Sequence, residues 1–315
     1  MTSLFRGTEQ HDILLRAMDP VPNPGEPKAP IGALLELLTD ESASTQKAAL
    51  KALTSLGRDG IAALEEAASG PDAKLRARAR RALQSISRKR GQGTLARLLA
   101  AEPKEPDPAS ATLIEGLLAI DDILGFREFD APGIPGCQAA AQIDSWAAEL
   151  GQAEAWREGP TLSAAGALRR VLADGAGLEG PKEDFHNLQH VSLSRTIITM
   201  TGLPLTLSAI YAAVARRNDL EAWLLPFPGQ VLLALGPPSD RVILDPFHGG
   251  ALLSRANCLQ RLATMGAPRS PHWLAPADDR VMLERQTRNL ATAMLRHGRD
   301  REAQVFARLV ENPKG

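Results

Sequence analysis

The chain has 315 residues, 44% of them hydrophobic, with a formal net charge of −1, so it can build a real core in one large or two medium domains. Near-neutral charge excludes a protein devoted to nucleic acid or to an anionic membrane surface. Aromatics make up only 4%, which leaves the core to Leu, Ala, Ile and Val. Residues 1–30 contain no continuous apolar run and carry Glu9, Asp12 and Asp19, so they do not read as a signal peptide. Pro20, Pro22, Pro24, Pro27 and Pro30 forbid a helix over Asp19–Pro30, which reads as an extended linker, while Asp12–Met18 before it reads as a short helix or an unattached arm.

Residues 31–94 contain an internal repeat. Lys51-Ala52-Leu53-Thr54-Ser55-Leu56 matches Arg81-Ala82-Leu83-Gln84-Ser85-Ile86, and Ile31, Ala33, Leu34 and Glu36 match Ile61, Ala63, Leu64 and Glu66. In the second copy Leu75, Ala79, Ala82, Leu83 and Ile86 share one helical face. Each copy reads as helix, polar turn, helix, with turns at Thr39-Asp40-Glu41 and Ser69-Gly70-Pro71-Asp72. This resembles a short-form HEAT repeat. Two copies cannot bury a continuous core alone, so the repeats are expected to pack on the domain that follows. The basic run Lys74 to Arg81, continued by Arg88-Lys89-Arg90, has no interleaved aromatics. It reads as a solvated ridge, and nucleic-acid binding is the least favoured function.

A second break falls at Pro103 to Pro108. Beyond it, Ala109–Leu124, Gln138–Leu150 and Ala164–Asp174 read as helices, with a Pro/Gly loop at Asp130–Gly136. Leu205–Arg217 is a strongly apolar helix. The most apolar stretch, Leu203 to Val214, is interrupted by Pro204, Thr206 and Ser208 and is too short to span a bilayer. Ala222–Leu225, Val231–Leu235 and Arg241–Leu244 are short apolar runs between prolines and glycines, and read as strands. Val281–Glu311 reads as two helices broken near His297-Gly298. The two cysteines, Cys137 and Cys258, lie far apart and form no CxxC; they predict a reducing compartment and hence a cytoplasmic protein.

Three motifs carry a resemblance. They are Gly202-Leu203-Pro204-Leu205-Thr206-Leu207-Ser208-Ala209-Ile210-Tyr211, then Phe227-Pro228-Gly229-Gln230, then Ile243-Leu244-Asp245-Pro246-Phe247-His248-Gly249-Gly250. In this order they resemble the SirB1-like group of transglutaminase-like proteins, from about Leu95 to Glu311. Ile114–Ile120 looks like the helix that opens that domain, and Arg285–Leu295 like the first helix after its core. The resemblance implies a papain-like fold. It also implies a nucleophilic Cys at the N-terminus of the apolar helix, a His from the next strand and an Asp from the strand after. The residues depart from that pattern. Pro204 aligns most nearly with the nucleophile, Gln230 stands where the His belongs, and Asp245 is in place without that His to orient. An amide cannot accept and return a proton near neutral pH. Thr206 and Ser208 are the hydroxyls on the helix, and His248 is the imidazole that could rescue a catalytic reading. His186 and His190 have the spacing of a helical zinc pair, but Asn187 occupies the base position and no third ligand is evident; a polar loop or helix cap is the favoured reading.

The expected fold is α+β: helical HEAT-like repeats (31–94), a transglutaminase-like domain with a small antiparallel sheet (95–280) and a C-terminal helical pair (281–315). The expected function is that of a non-catalytic interaction or scaffold protein with a protein partner, no cofactor and no metal. The alternative is a papain/transglutaminase-type hydrolase or acyltransferase with an unconventional nucleophile.

Overall fold

The computed structural model describes residues 31–313 apart from Pro103, Pro108, 126–136, 153–155, His186 and Arg269. The predicted arm and linker at 1–30 and the loop at Asp130–Gly136 lie outside the described residues. The chain divides into two compact units, with the boundary between Lys89 and Arg90.

The first unit is helical: α1 (Ile31–Leu37), α2 (Ala43–Ser55), α3 (Arg58–Ser69) and the opening turns of α4 (Ala73–Ala100). Its two helix–turn–helix pairs reuse the same local chemistry. At the second helix of the first pair, Ser42 Oγ caps by accepting from Thr45 N. At the second pair, Asp72 Oδ1 accepts from Lys74 N and Leu75 N at 2.8 and 3.0 Å, meeting the orphan donors of a helix start. Gln46 Nε2 donates to Asp40 O, and Arg76 Nη1 donates to Gly70 O, each at 2.6 Å. The buried sets also correspond: Leu34, Leu37, Leu38, Ala49, Ala52 and Leu53 against Leu64, Ala67, Ala68, Ala79, Ala82 and Leu83. Gly60 permits the tight approach of α3 to α2, because a Cβ there would sit 1.9 Å from Leu53 O. Part of the basic run is used structurally. Arg78 Nη1 donates to Gln46 Oε1 at 2.9 Å, and Arg80 Nε donates to Ala68 O at 3.1 Å.

The second unit is built around one helix. In chain order its described elements are α5 (Thr112–Leu124), α6 (Cys137–Gln152), α7 (Thr161–Arg169), α8 (Leu193–Thr199), α9 (Pro204–Arg216), β1 (Ala222–Leu225), β2 (Leu232–Leu235), β3 (Val242–Asp245), β4 (Ala251–Leu253), α10 (Arg255–Thr264), α11 (Asp279–Arg296) and α12 (Asp300–Glu311). The sheet is antiparallel with order β1-β2-β3-β4. Its registers pair Leu224 with Leu233, Leu233 with Leu244, and Leu244 with Leu252. Period-two alternation sorts the side chains between two cores. Ala222, Leu224, Leu233, Leu235 and Leu244 join α9 and the helical layer. Leu225, Leu232 and Ala234 pack with Phe227, Cys258 and Leu262 beneath α10. Each fully buried leucine contributes roughly 2 kcal/mol of apolar transfer.

Helix α9 is buried at every residue from Leu205 to Ala215, so it is the axle of the unit and not a surface helix. It starts at Pro204, where a proline's missing N–H costs nothing. It ends at Arg216, whose guanidinium meets Asp279 at the start of α11 through two bonds of 2.9 and 3.1 Å. Arg216 also donates to Ser110 O and Ala222 O, and Asp279 Oδ2 accepts from Leu113 N at 3.2 Å. One buried ion pair therefore ties the ends of α5, α9, β1 and α11.

The predicted strands and the apolar helix fall within a residue of their observed limits. The predicted helix Ala164–Asp174 is instead α7 followed by a π turn at Arg170–Gly175. The fourth strand was not expected. Among the described residues no helix is long and apolar enough to cross a membrane.

Candidate functional site

The residues implicated by the second and third motifs meet at the C-terminal end of β3, with an arginine the sequence did not single out. Asp245 is the last residue of β3 and is fully buried. Its Oδ2 accepts from Arg261 Nη1 at 2.6 Å and from His248 Nδ1 at 2.7 Å. Arg261 comes from α10, and the same Nη1 lies 3.3 Å from Gln230 Oε1. Gln230 follows the Phe227–Gly229 turn, which its N–H closes onto Phe227 O. Arg285, on α11, donates from Nη2 to both Phe227 O and Gln230 O at 3.2 and 3.3 Å, and burial pulls its pKa below the ordinary guanidinium value.

Local backbone chemistry sets the His248 position. Pro246 starts a short 3-10 turn over Pro246–His248, and Gly249 and Gly250 follow at φ of +60° and +69°, a region that suits glycine. Gly250 N donates back to Asp245 O at 3.0 Å. A side chain at Gly250 would meet the Tyr211 ring and hydroxyl at 3.3 Å. Phe247 anchors the turn from below: Gly180 N donates to its carbonyl, its ring stacks on Phe185 at 5.9 Å, and it meets the His248 ring edge-on at 5.1 Å. The His248 side chain stays about half exposed, at 52%. With Nδ1 donating to a carboxylate, the neutral ring carries its lone pair on Nε2.

Asp245 therefore does have an imidazole to orient, supplied three residues downstream and not by Gln230. That corrects the expectation that the carboxylate is left without one. Neither hydroxyl of the α9 start joins this pair. Thr206 Oγ1, fully buried in the first turn of α9, donates to Val191 O at 3.1 Å. Ser208 Oγ, equally buried, donates to Val231 O at 2.8 Å. Each hydroxyl proton is spent on a main-chain carbonyl and neither is offered to His248. Pro204 brings no reactive atom to the helix start. Cys258, on the buried face of α10, sits in the second core, where burial pushes its thiol pKa up. That is the environment of a packing cysteine, away from the N-terminus of α9 where a thiolate would be favoured.

Asn187 caps a 3-10 turn over Leu188–Val191 by accepting from Gln189 N, and His190 O accepts from Leu203 N at 2.9 Å. His186 lies outside the described residues. Among the described residues no three His, Cys, Asp or Glu side chains converge as a metal site.

Arg261 carried no signal in the sequence. It is an arginine on an amphipathic helix, and only the packing of α10 against β3 shows that it turns inward.

Residues 138–288 match the family described as the transglutaminase-like superfamily, so α6 through the first half of α11, including the whole site, forms a transglutaminase-like domain. Two curated relatives, each named UPF0162 protein and from Xylella fastidiosa strains Temecula1 / ATCC 700964 and 9a5c, are 27% identical over 152 residues. The match covers 46% of this chain and 54% of each relative. The chain thus spans about half the length of the curated relatives it matches. No solved structure matches it at a significant level.

Proposed function

We propose that this transglutaminase-like domain is of the SirB1-like type and non-catalytic, and that the protein serves as an interaction module for a protein partner. One observation carries the reading. The imidazole–carboxylate pair Asp245–His248 is intact, yet the helix-borne hydroxyls of Thr206 and Ser208 donate into main-chain carbonyls of the core. An oriented base to which no nucleophile is offered among the described residues supports no acyl transfer through a covalent intermediate. Arg261 supports the same view. It binds the very carboxylate oxygen that orients His248, an arrangement suited to holding α10 against β3. In this reading the helical pairs of residues 31–94 are HEAT-like and add binding surface, and the protein works in the cytoplasm.

The test is covalent labelling of the purified chain with a fluorophosphonate and with an iodoacetamide probe, beside the His248→Ala variant. No labelling that depends on His248 is expected. Labelling of wild type that disappears in His248→Ala would return the domain to the hydrolase and acyltransferase class.

A further inference from the structure

Charge in the first unit is sorted by helix. The first helices of its two pairs, α1 and α3, carry Glu36, Asp59, Glu65 and Glu66 against one cation, Arg58. The second helices, α2 and α4 as far as Lys89, carry nine Lys and Arg and no Asp or Glu. Of the acids in the turns before them, Asp40 accepts from Ser42 N, and Asp72 accepts from Lys74 N and Leu75 N. An ordinary solvated surface intersperses the two signs; the second helices do not.

The cations on the outer side of α2 and α4 are free. Ala49, Ala52 and Leu53 form the buried stripe of α2, and Ala79, Ala82 and Leu83 that of α4. By helical geometry Lys47 and Lys51 stand opposite the first stripe, and Arg81 and Arg88 opposite the second. All four are exposed, and among the described residues no hydrogen bond or ion pair reaches their side chains. The two helices lie side by side. Arg78 Nη1 donates to Gln46 Oε1 at 2.9 Å, and Lys51 and Arg81 hold the same position in the repeat. Lys47 and Lys51 are about 6 Å apart along one axis, and Arg81 and Arg88 about 10.5 Å apart along the other. Between them the exposed side chains are small, among them Ser44, Ala77 and Ser85. The result is a shallow grid of unpaired positive charge.

The rest of the unit narrows what can fill it. Residues 31–89 contain no Phe, Tyr, Trp or His, so nucleic-acid bases have nothing to stack on. The whole chain has a net charge of −1, so no long-range field draws in a polyanion. A few free cations on one short face suit the carboxylates of a short segment.

We propose that the outer face of α2 and α4, built around Lys47, Lys51, Arg81 and Arg88, docks a short acidic segment of the partner protein, a proposal that rests on the reading of this protein as an interaction module. A helical segment with carboxylates at i, i+4 and i+7 repeats the same intervals of about 6 and 10.5 Å. Exposed pairs of this kind select and steer the partner, and they weaken with salt.

The probe is a fluorescent synthetic peptide with Glu at i, i+4 and i+7 on an Ala and Gln background. Its anisotropy is measured with the full chain, beside a twin that has Gln for every Glu. Only the acidic peptide is expected to bind, with an affinity that falls as salt is raised. Binding should weaken about tenfold or more in Lys51→Glu/Arg81→Glu. It should be unchanged in Arg255→Glu, which reverses an exposed cation of α10. All these substitutions fall on exposed side chains, so circular dichroism should match wild type; Lys51→Gln/Arg81→Gln, which removes the charge without reversing it, should also weaken binding. The docking face is overturned if the acidic peptide does not bind, if its twin binds equally, or if both double variants bind like wild type; the interaction reading would then rest on other surfaces. Tighter binding of an RNA duplex or of phosphatidylserine vesicles than of the peptide, lost in the double variants, would also overturn it and replace the protein segment by a nucleic acid or a membrane. Cleavage or acylation of the bound peptide would instead sink the non-catalytic reading and leave the docking face standing.

Discussion

Arg261 Nη1 lies 2.6 Å from Asp245 Oδ2 and makes a helix-borne cation the anchor of the strand-borne carboxylate. Asp245 is fully buried while Arg261 keeps about a third of its side chain in solvent. Such an asymmetric pair is costly to break from the cationic side, because the carboxylate is left in the core with only His248.

Arg261→Leu is therefore expected to destabilise the protein by about 3 kcal/mol. Chemical denaturation of Arg261→Leu, Asp245→Asn and the double variant checks this. The double variant should be less unstable than the sum of the singles, by more than about 0.5 kcal/mol. Strict additivity would mean that the two groups do not interact.

The Arg216–Asp279 pair is more deeply buried, with side-chain exposures of 9% and 1%. Its fork geometry is what a guanidinium provides and an ammonium does not. Arg216→Lys should keep the charge yet lose at least about 1.5 kcal/mol, and Arg216→Met should lose about 3–5 kcal/mol. Equal stability of the Arg216→Lys variant and wild type in urea would contradict the bidentate role.

Ser208 and Thr206 are assigned to structure, not to chemistry. Ser208→Ala should leave Val231 O without its buried donor and cost about 1–2 kcal/mol, and Thr206→Val should cost a similar amount at Val191 O. Thermal unfolding measures both. Neither change should alter any covalent labelling of the protein.

Tyr211 is the only tyrosine in the sequence, so tyrosinate absorbance reports it alone. Burial holds its phenol well above the ordinary value of about 10. The buried Cys258 thiol is also raised. Both groups stay protonated in the folded state at pH values where the unfolded chain has begun to ionise. Their stabilising contribution is whole below the unfolded values and falls as pH rises past them. Tyrosinate absorbance of the native protein should thus appear above about pH 10, together with loss of helical signal, and in concentrated urea it should appear near pH 10. Ionisation at about pH 10 in a fully helical protein would contradict the burial.

The first three strands were legible because each is an apolar run closed by Pro or Gly, such as Leu232–Leu235 before Gly236-Pro237. β4 escaped because three residues after Gly249-Gly250 are too few to show alternation. Helix α9 was legible from its apolar density, yet its burial on all sides comes from tertiary packing that no periodicity encodes. The site was half readable. Gln230, Asp245 and His248 stand in recognisable motifs, but the partner that joins two of them, Arg261, lies sixteen residues from Asp245 on a helix, α10, that was not expected. The pairing of His248 with Asp245 depends on a turn in which two successive glycines take positive φ. Their identity is plain in the sequence, but the direction in which they send the ring is not.

The Asp245–His248 pair is assigned no chemistry, and a rate decides that assignment. The full chain is given a panel of amide, ester and thioester substrates, and its hydrolysis or acyl transfer is compared with that of the Asp245→Asn/His248→Ala double variant at equal folded concentration. Identical rates, indistinguishable from buffer, are expected. A rate above buffer in wild type that the double variant loses would contradict the non-catalytic reading.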